Sequence, residues 1–355
     1  MNHVKRLQES LVQANVPAIL VSDITNVQWL TGFSGSSGYA LVTGSDSRFV
    51  TDSRYTIQAA EEVTGLDVVT FASPVKLTEF ISLQLRELNV RELAFERSVS
   101  YATWEDWVAA FADVKLTPAP DVIKPLRMVK TSEEVEKIKA ACKLADGCLA
   151  HVQRMLQPGV SEYDIGLEIE FFFRRNGAEV GFAPIVASGE NSARPHARAS
   201  ERKLQPGDFV TLDLGAKLDG YNSDMTRTFV IGKATDRHKE IYDQVLKAEV
   251  ACCEGLVAGI SGKEIDGKAR EILDEKDLAK YFGHGLGHGL GRATHDPGGL
   301  SSRSEDIVSI GNVWTVEPGV YIEGFGGVRI EDDVLVTENG PEILTHYPKQ
   351  LIEIS

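Results

Sequence analysis

The sequence predicts two domains of different class, a smaller α/β domain followed by an α+β domain. Three observations predict this. Residues 1–122 alternate short apolar runs with amphipathic stretches. The segment Thr117–Pro125 (TPAPDVIKP) holds three prolines and reads as a boundary. From residue 181 onward strands and glycine-rich loops take over, with one further helical pair. A chain of 355 residues accommodates two or three domains of ordinary size. The division expected is a first domain at 1–122, a linker at 123–130 and a second domain at 131–355.

Residues 4–14 carry apolar side chains at helical spacing. Pro17–Ser22 (PAILVS) is a short apolar strand. Tyr39–Thr43 and Arg48–Thr51 are strands joined by the turn Gly44-Ser45-Asp46-Ser47. A helix over 53–63, a strand at Asp67–Phe71, a helix from Pro74 to about Leu88 and a strand at Glu92–Glu96 complete the alternation. In the second domain Thr131-Ser132-Glu133-Glu134 has N-cap chemistry, and apolar positions from Val135 to Leu149 continue that helix until Pro158-Gly159. Another helix follows Ser161-Glu162 and stops at Asn176-Gly177. The later helical pair lies near 236–257 and 262–274. No internal repeat is apparent.

Composition excludes several function classes. Hydrophobic residues are 43% and charged residues 25%, the balance of a globular protein. The net charge of −15 and the lack of any Lys/Arg run longer than two argue against nucleic-acid and anionic-membrane partners. No apolar stretch is long enough to span a bilayer, and the N-terminus has no secretory pattern. Cys142, Cys148, Cys252 and Cys253 form no C-x-x-C and read as reduced thiols, so a cytoplasmic location is expected.

Chemistry is concentrated in three places. Asp208–Leu214 and Tyr221–Val230 flank Asp219-Gly220, a two-residue hairpin turn. In that register Leu218 faces Tyr221 and Asp213 faces Thr226, which puts Asp224 diagonal to Asp213 on one face. Two acids so placed repel unless a cation sits between them. In Phe282–Gly291 (FGHGLGHGLG) glycine occupies every odd position. Period two fits an extended segment stripped bare on one side, where backbone or ligand approaches closely. His284 and His288 would be ~13 Å apart along it, so one is expected to ligate and the other to do something else. Finally, Val313–Tyr321 and Gly327–Val336 flank a loop centred near Gly324, which puts Glu317 opposite Glu331. Both interrupt apolar runs, and a lone buried carboxylate would cost several kcal/mol, so pairing or metal binding is expected.

Together Asp213, Asp224, His288, Glu317 and Glu331 give four carboxylates and one imidazole. Such a set suits hard or borderline divalent ions, Mn²⁺ above all, with Co²⁺, Fe²⁺ or Zn²⁺ as alternatives. Bridging carboxylates would let five ligands hold two ions.

In order and local context (LDLGAKLDGYNSDMTRTF, HGLGHGLG, TVEPGVYI, GVRIEDDVLVT) these positions resemble the metallopeptidase family of proline-specific aminopeptidases, prolidases and methionine aminopeptidases. MVKTSEEVEKIKAAC, PGVSEYDI, FAPIVASGENSARPHA and NVQWLTGFSGSSG extend the resemblance over nearly the whole chain. It implies a two-lobed pita-bread catalytic domain behind a smaller α/β domain. The presence of that first domain favours Xaa-Pro cleavage over methionine removal.

The resemblance further implies two divalent metal ions and a metal-bridging hydroxide as nucleophile. Asp213 would bind one ion, Asp224 and Glu331 would bridge, and His288 with Glu317 would complete the other. Glu317 would handle the nucleophile's proton. His196 and His295 would contact the scissile region, His284 would shape the proline pocket, and Arg329 would orient the site or anchor a carboxylate. The sequence departs from the family pattern at Arg292-Ala293-Thr294 and at Asp296, where Glu is commoner.

The expected activity is Xaa-Pro aminopeptidase on short proline-containing peptides, with a strict Xaa-Pro dipeptidase as alternative. Loop Thr31–Gly38 would decide between them if it reached a site and blocked longer peptides. A metal-free creatinase-like hydrolase and an inactive peptide-binding module are the remaining readings, and both should have lost ligands that this chain keeps. A homodimer is expected from the resemblance alone.

Overall fold

The computed structural model describes residues 2–355, which divide into two compact units with the boundary between Leu126 and Arg127. The first unit is built on a six-stranded mixed sheet. Its spatial order is Asp67–Phe71, Ser47–Asp52, Tyr39–Thr43, Ala18–Val21, Glu92–Phe95 and Lys115–Pro118. The run PAILVS is apolar throughout because the strand Ala18–Val21 is covered on both faces. Ile19 and Val21 pack with Leu7, Leu11 and Phe33, while Ala18 and Leu20 pack with Leu85, Leu93 and Trp107. The helices Ile24–Thr31 and Tyr101–Ala110 were not anticipated. Both had legible N-caps, since Asp23 accepts from the Asn26 N–H and Ser100 from that of Thr103.

The boundary between the two units falls inside the 123–130 stretch, which is itself ordered. Lys124–Met128 is a short helix whose Pro125 sits in the first turn, where no N–H is missed. Arg127 and Lys130 are buried and both reach the Asp296 carboxylate, Lys130 at 3.0 Å. Pro125, the last of the three prolines, therefore opens a helix whose Arg127 is held by a buried acid.

The second unit has two main sheets. A four-stranded one runs Ile352–Ile354, Met225–Ile231, Phe209–Leu214, Ile185–Ser188. A five-stranded one runs Asp296–Leu300, Gly287–Gly289, Val313–Val316, Asp332–Thr337, Gly340–Ile343. The helices Ser132–Val152 and Glu162–Arg175 bury Ala141, Leu149, Ile165 and Phe173 in one core with Leu212 and Phe229. Asp236–Gly255 and Gly262–Asp274 bury Val245, Cys252, Ile265 and Leu273 in another with Trp314 and Val334.

These halves repeat one another, which the sequence did not suggest. PGVSEYDI enters one helix through the Ser161 cap and AGISGKEI enters the other through the Ser261 cap. Ser161 bridges to Lys203 and Ser261 to Ile307 in the same antiparallel manner. Few identities survive in the two octets because only the glycine bend, the serine cap and the first buried isoleucine are required by the geometry. All four cysteines are buried free thiols. Among the described residues no helix is long and apolar enough to cross a membrane.

One buried ion cluster holds the C-terminal strands together. Arg227 donates from Nη2 to Asp332 Oδ1 at 2.7 Å and from Nη1 to the Glu331 carbonyl at 2.6 Å. Lys349 reaches Asp332 Oδ2 at 2.7 Å and Glu249 Oε1 at 3.0 Å. Arg227→Met would leave Asp332 buried with one cation fewer, a loss of roughly 3–5 kcal/mol. Urea unfolding followed by tryptophan fluorescence should show a clearly lower midpoint, and an unchanged midpoint would contradict this account of the cluster.

Candidate metal centre

The five proposed ligands line one cavity of about 750 Å³ in the second unit, together with His196, His284, His295 and Arg329. Backbone pairing brings them there. Asp219 and Gly220 take positive φ (48° and 79°), so the turn is tight and the register is the expected one, Leu218 opposite Tyr221 and Asp213 opposite Thr226. The second strand is not continuous, however. It breaks at Ser223-Asp224, where a Cβ on Gly215 would lie 2.1 Å from the Ser223 carbonyl oxygen. The break frees the Asp224 N–H to donate to Asp333 Oδ2 at 2.9 Å and turns the Asp224 side chain to the cavity.

Glu317 and Glu331 also sit in breaks. Val316 pairs with Asp332 on one side and Gly319 with Arg329 on the other, so the register puts the two glutamates opposite each other. The Glu317 N–H donates to the Leu286 carbonyl (2.8 Å) and the Glu331 N–H to that of Thr226 (3.1 Å). Thr226 Oγ1 donates to Glu331 Oε2 at 2.5 Å. Only Gly287–Gly289 of the glycine-alternating segment is a regular strand, so the fully extended expectation is too simple. Its reason for glycine holds: a Cβ at Gly287 would fall 2.0 Å from the Thr315 carbonyl oxygen, and one at Gly289 would fall 2.2 Å from that of Pro297.

The geometry around His288 is the most informative feature. Its Nδ1 donates to the Gly289 carbonyl at 3.0 Å, which leaves Nε2 as a bare lone pair. Nε2 faces Asp224 Oδ2 and Glu317 Oε1, each at 3.6 Å. Burial lowers the His288 pKa to about 4, so the ring is neutral at physiological pH. Ligand-type atoms from three side chains thus converge, and among the described residues no Lys or Arg side chain is recorded between them. Asp224, His288 and Glu331 offer ligand atoms all within 4.8 Å of one another. Asp213 has a buried Oδ1 without a hydrogen-bond partner, while its Oδ2 accepts from Arg329 Nη2 at 2.6 Å.

Electrostatics agree. Burial, then the charges of neighbouring carboxylates, pushes Asp224 and Glu331 far above the usual carboxylate range. Burial raises Glu317 to about 8 against the pull of Arg329, and raises Asp213 against the same pull. A donor set of oxygens and one imidazole, crowded and short of positive charge, fits divalent cations. A second acidic cluster, Glu249, Cys253 and Asp332, differs because Lys349 and Arg227 already neutralise it.

The other singled-out residues occupy distinct places. Arg329 also donates to Thr226 Oγ1 (3.0 Å) and Tyr321 Oη (2.8 Å), so it is engaged in orienting the site. His284 donates from Nδ1 to the Gly285 carbonyl, and its Nε2 accepts from Tyr321 Oη at 2.9 Å. His295 lies beside His288, with ring centres 4.2 Å apart and the rings tilted by 51°. Asp296, which stands where the family pattern has Glu, holds the His295 loop by accepting from the Ala293 N–H at 3.2 Å and from Arg127 and Lys130. Sequence reasoning missed Tyr321, whose only signal was its strand parity with Gly319 and Glu317. It also missed Glu162, which accepts from the backbone N–H and hydroxyl of both Ser188 and Ser200 and so fixes the loop bearing His196.

A cavity of this composition, set between two helix-backed sheets, defines a metal-dependent hydrolase centre. Comparison with known proteins makes the assignment specific. Residues 136–338 match the metallopeptidase family M24, and residues 3–129 match the creatinase/prolidase N-terminal domain. The chain belongs to this family. It is 36% identical over 352 residues to a Xaa-Pro dipeptidase of Pyrococcus furiosus, covering 98% of this chain and 99% of that one. A solved Xaa-Pro dipeptidase from Bacillus anthracis superposes with a TM-score of 0.95 at 38% identity, covering 99% of each chain. The X-Pro aminopeptidase of Thermotoga maritima superposes at 0.90 with 34% identity, covering 98% of this chain and 100% of that one.

The raised carboxylate pKa values predict how the metal-free protein responds to pH. A group such as Glu317, whose pKa rises on folding from 4.5 to about 8, favours the folded state fully below the lower value and loses that contribution as pH climbs through the higher. The melting temperature of chelator-treated protein should therefore fall between about pH 5 and pH 8, and added Mn²⁺ should flatten the fall. Superimposable pH profiles with and without metal would contradict this.

Proposed function

We propose that the protein is a dinuclear metal-dependent exopeptidase that hydrolyses the bond between an N-terminal residue and proline in short peptides. The observation that carries this reading is the convergence of the His288 Nε2 lone pair with the Asp224 and Glu317 oxygens, each at 3.6 Å. Asp213, Asp224, His288, Glu317 and Glu331 would hold two divalent ions, Mn²⁺ by preference for oxygen ligands. Such ions lower the pKa of water enough to supply hydroxide at neutral pH and polarise the scissile carbonyl.

The protein's own groups supply the rest. Glu317 takes the proton of the attacking water, a role its strained ionisation suits, and returns it to the departing proline nitrogen. His295 and His196 donate to the carbonyl oxygen as negative charge develops there. His284, held in one tautomer by Gly285 and Tyr321, walls the proline side. Arg329 fixes Asp213 and Tyr321 against the same wall.

Dipeptides are the proposed preferred substrates, because the P. furiosus and B. anthracis relatives are Xaa-Pro dipeptidases. The aminopeptidase reading, which the sequence favoured, is supported by the T. maritima neighbour. A cytoplasmic homodimer belongs to the same proposal, the location from the four unpaired thiols and the dimer from the family resemblance.

The test is cleavage of Ala-Pro and Ala-Pro-Ala with and without chelator. Activity should vanish on chelation and return with Mn²⁺, and Asp224→Asn should lower kcat on the order of a thousandfold or more. Cleavage that ignores chelator, or no Xaa-Pro cleavage at all, would overturn the reading.

A further inference from the structure

Among the described residues lining the cavity, the fixed positive charges are Arg329 and Arg198. Arg329 is spent on Asp213, Thr226 and Tyr321. Arg198 is different. Among the described residues its guanidinium has no recorded hydrogen-bond or ion-pair partner, although Glu170 lines the same cavity. Yet its backbone is firmly held. Glu162 ties down Ser188 and Ser200 at either end of the segment, and the Ala197 N–H donates to the Arg194 carbonyl at 3.1 Å. Ala197 is buried between His196 and Arg198, so these two side chains share the exposed side and both line the cavity.

From this arrangement we infer that Arg198 is a specificity-determining residue that pairs with the free C-terminal carboxylate of the substrate. The inference rests on the Xaa-Pro reading above and adds how substrate length would be sensed. A peptide carboxylate entering a cavity of buried acids, with Glu170 on its wall, meets repulsion and needs a counter-charge. A guanidinium on an anchored loop, one alternate residue from His196, offers a two-pronged donor at little ordering cost. A longer or amidated peptide places a neutral amide there and forgoes the pairing.

The experiment compares KM for Ala-Pro, Ala-Pro-NH₂ and Ala-Pro-Ala in Mn²⁺-loaded wild type, Arg198→Met and Arg198→Lys. Arg194→Met, an exposed loop arginine outside the cavity, is the control. In Arg198→Met the KM for Ala-Pro should rise roughly tenfold and that for Ala-Pro-NH₂ less than about twofold, with kcat for both little moved. Arg198→Lys should recover part of the preference for the free acid. An acid-to-amide KM ratio equal in wild type and Arg198→Met overturns the anchor while leaving the peptidase reading intact. Wild-type protein that cleaves none of the three substrates overturns both.

Discussion

Repulsion among buried acids is the constraint on which the catalytic unit depends. Asp213, Asp224, Glu317 and Glu331 are drawn into one cavity by four separate backbone segments, and burial raises the pKa of each. Such a convergence is costly without cations. It persists because each acid is held by something other than its own preference. Arg329 grips Asp213, Thr226 grips Glu331, Asp333 grips the backbone of Asp224, and the Leu286 carbonyl holds that of Glu317. Strand breaks at residues 223–224, 317–318 and 330–331 turn the acids inward without losing the sheets that carry them.

The same unit handles buried charge in two contrasting ways. Around Asp332 the protein provides its own cations, Arg227 and Lys349, and burial is outweighed so that Asp332 falls to about 2. One residue earlier in the chain, Glu331 faces the cavity and is driven the other way. The strand thus separates a self-neutralised cluster from an electron-rich one that lacks its counter-charge. The first gives rigidity, and the second gives a set of donors ready for an external ion.

Much of this was readable in the sequence where local rules apply. The Asp219-Gly220 turn sets the register, and alternation then places Asp213 against Thr226. The loop centred near Gly324 does the same for Glu317 and Glu331. What local rules could not supply was contact between distant segments. The three prolines of 117–125 mark a boundary, but only Asp296, far along the chain, shows why Arg127 and Lys130 just beyond it are buried. Arg227 and Lys349 were unremarkable as surface-type residues until the fold enclosed Asp332 between them. The repeated halves escaped notice because the glycine, serine and isoleucine they share are common residues, and the shared feature is geometric.

If the electron-rich cavity is a metal centre, cations must displace the protons that its crowded acids hold. Titration calorimetry of Mn²⁺ into chelator-treated protein near pH 6.5, repeated in buffers of different ionisation enthalpy, measures that exchange directly. Saturable binding of about two ions per chain with net proton release is the expected result. Saturable binding without proton release, or no binding at all, would contradict it.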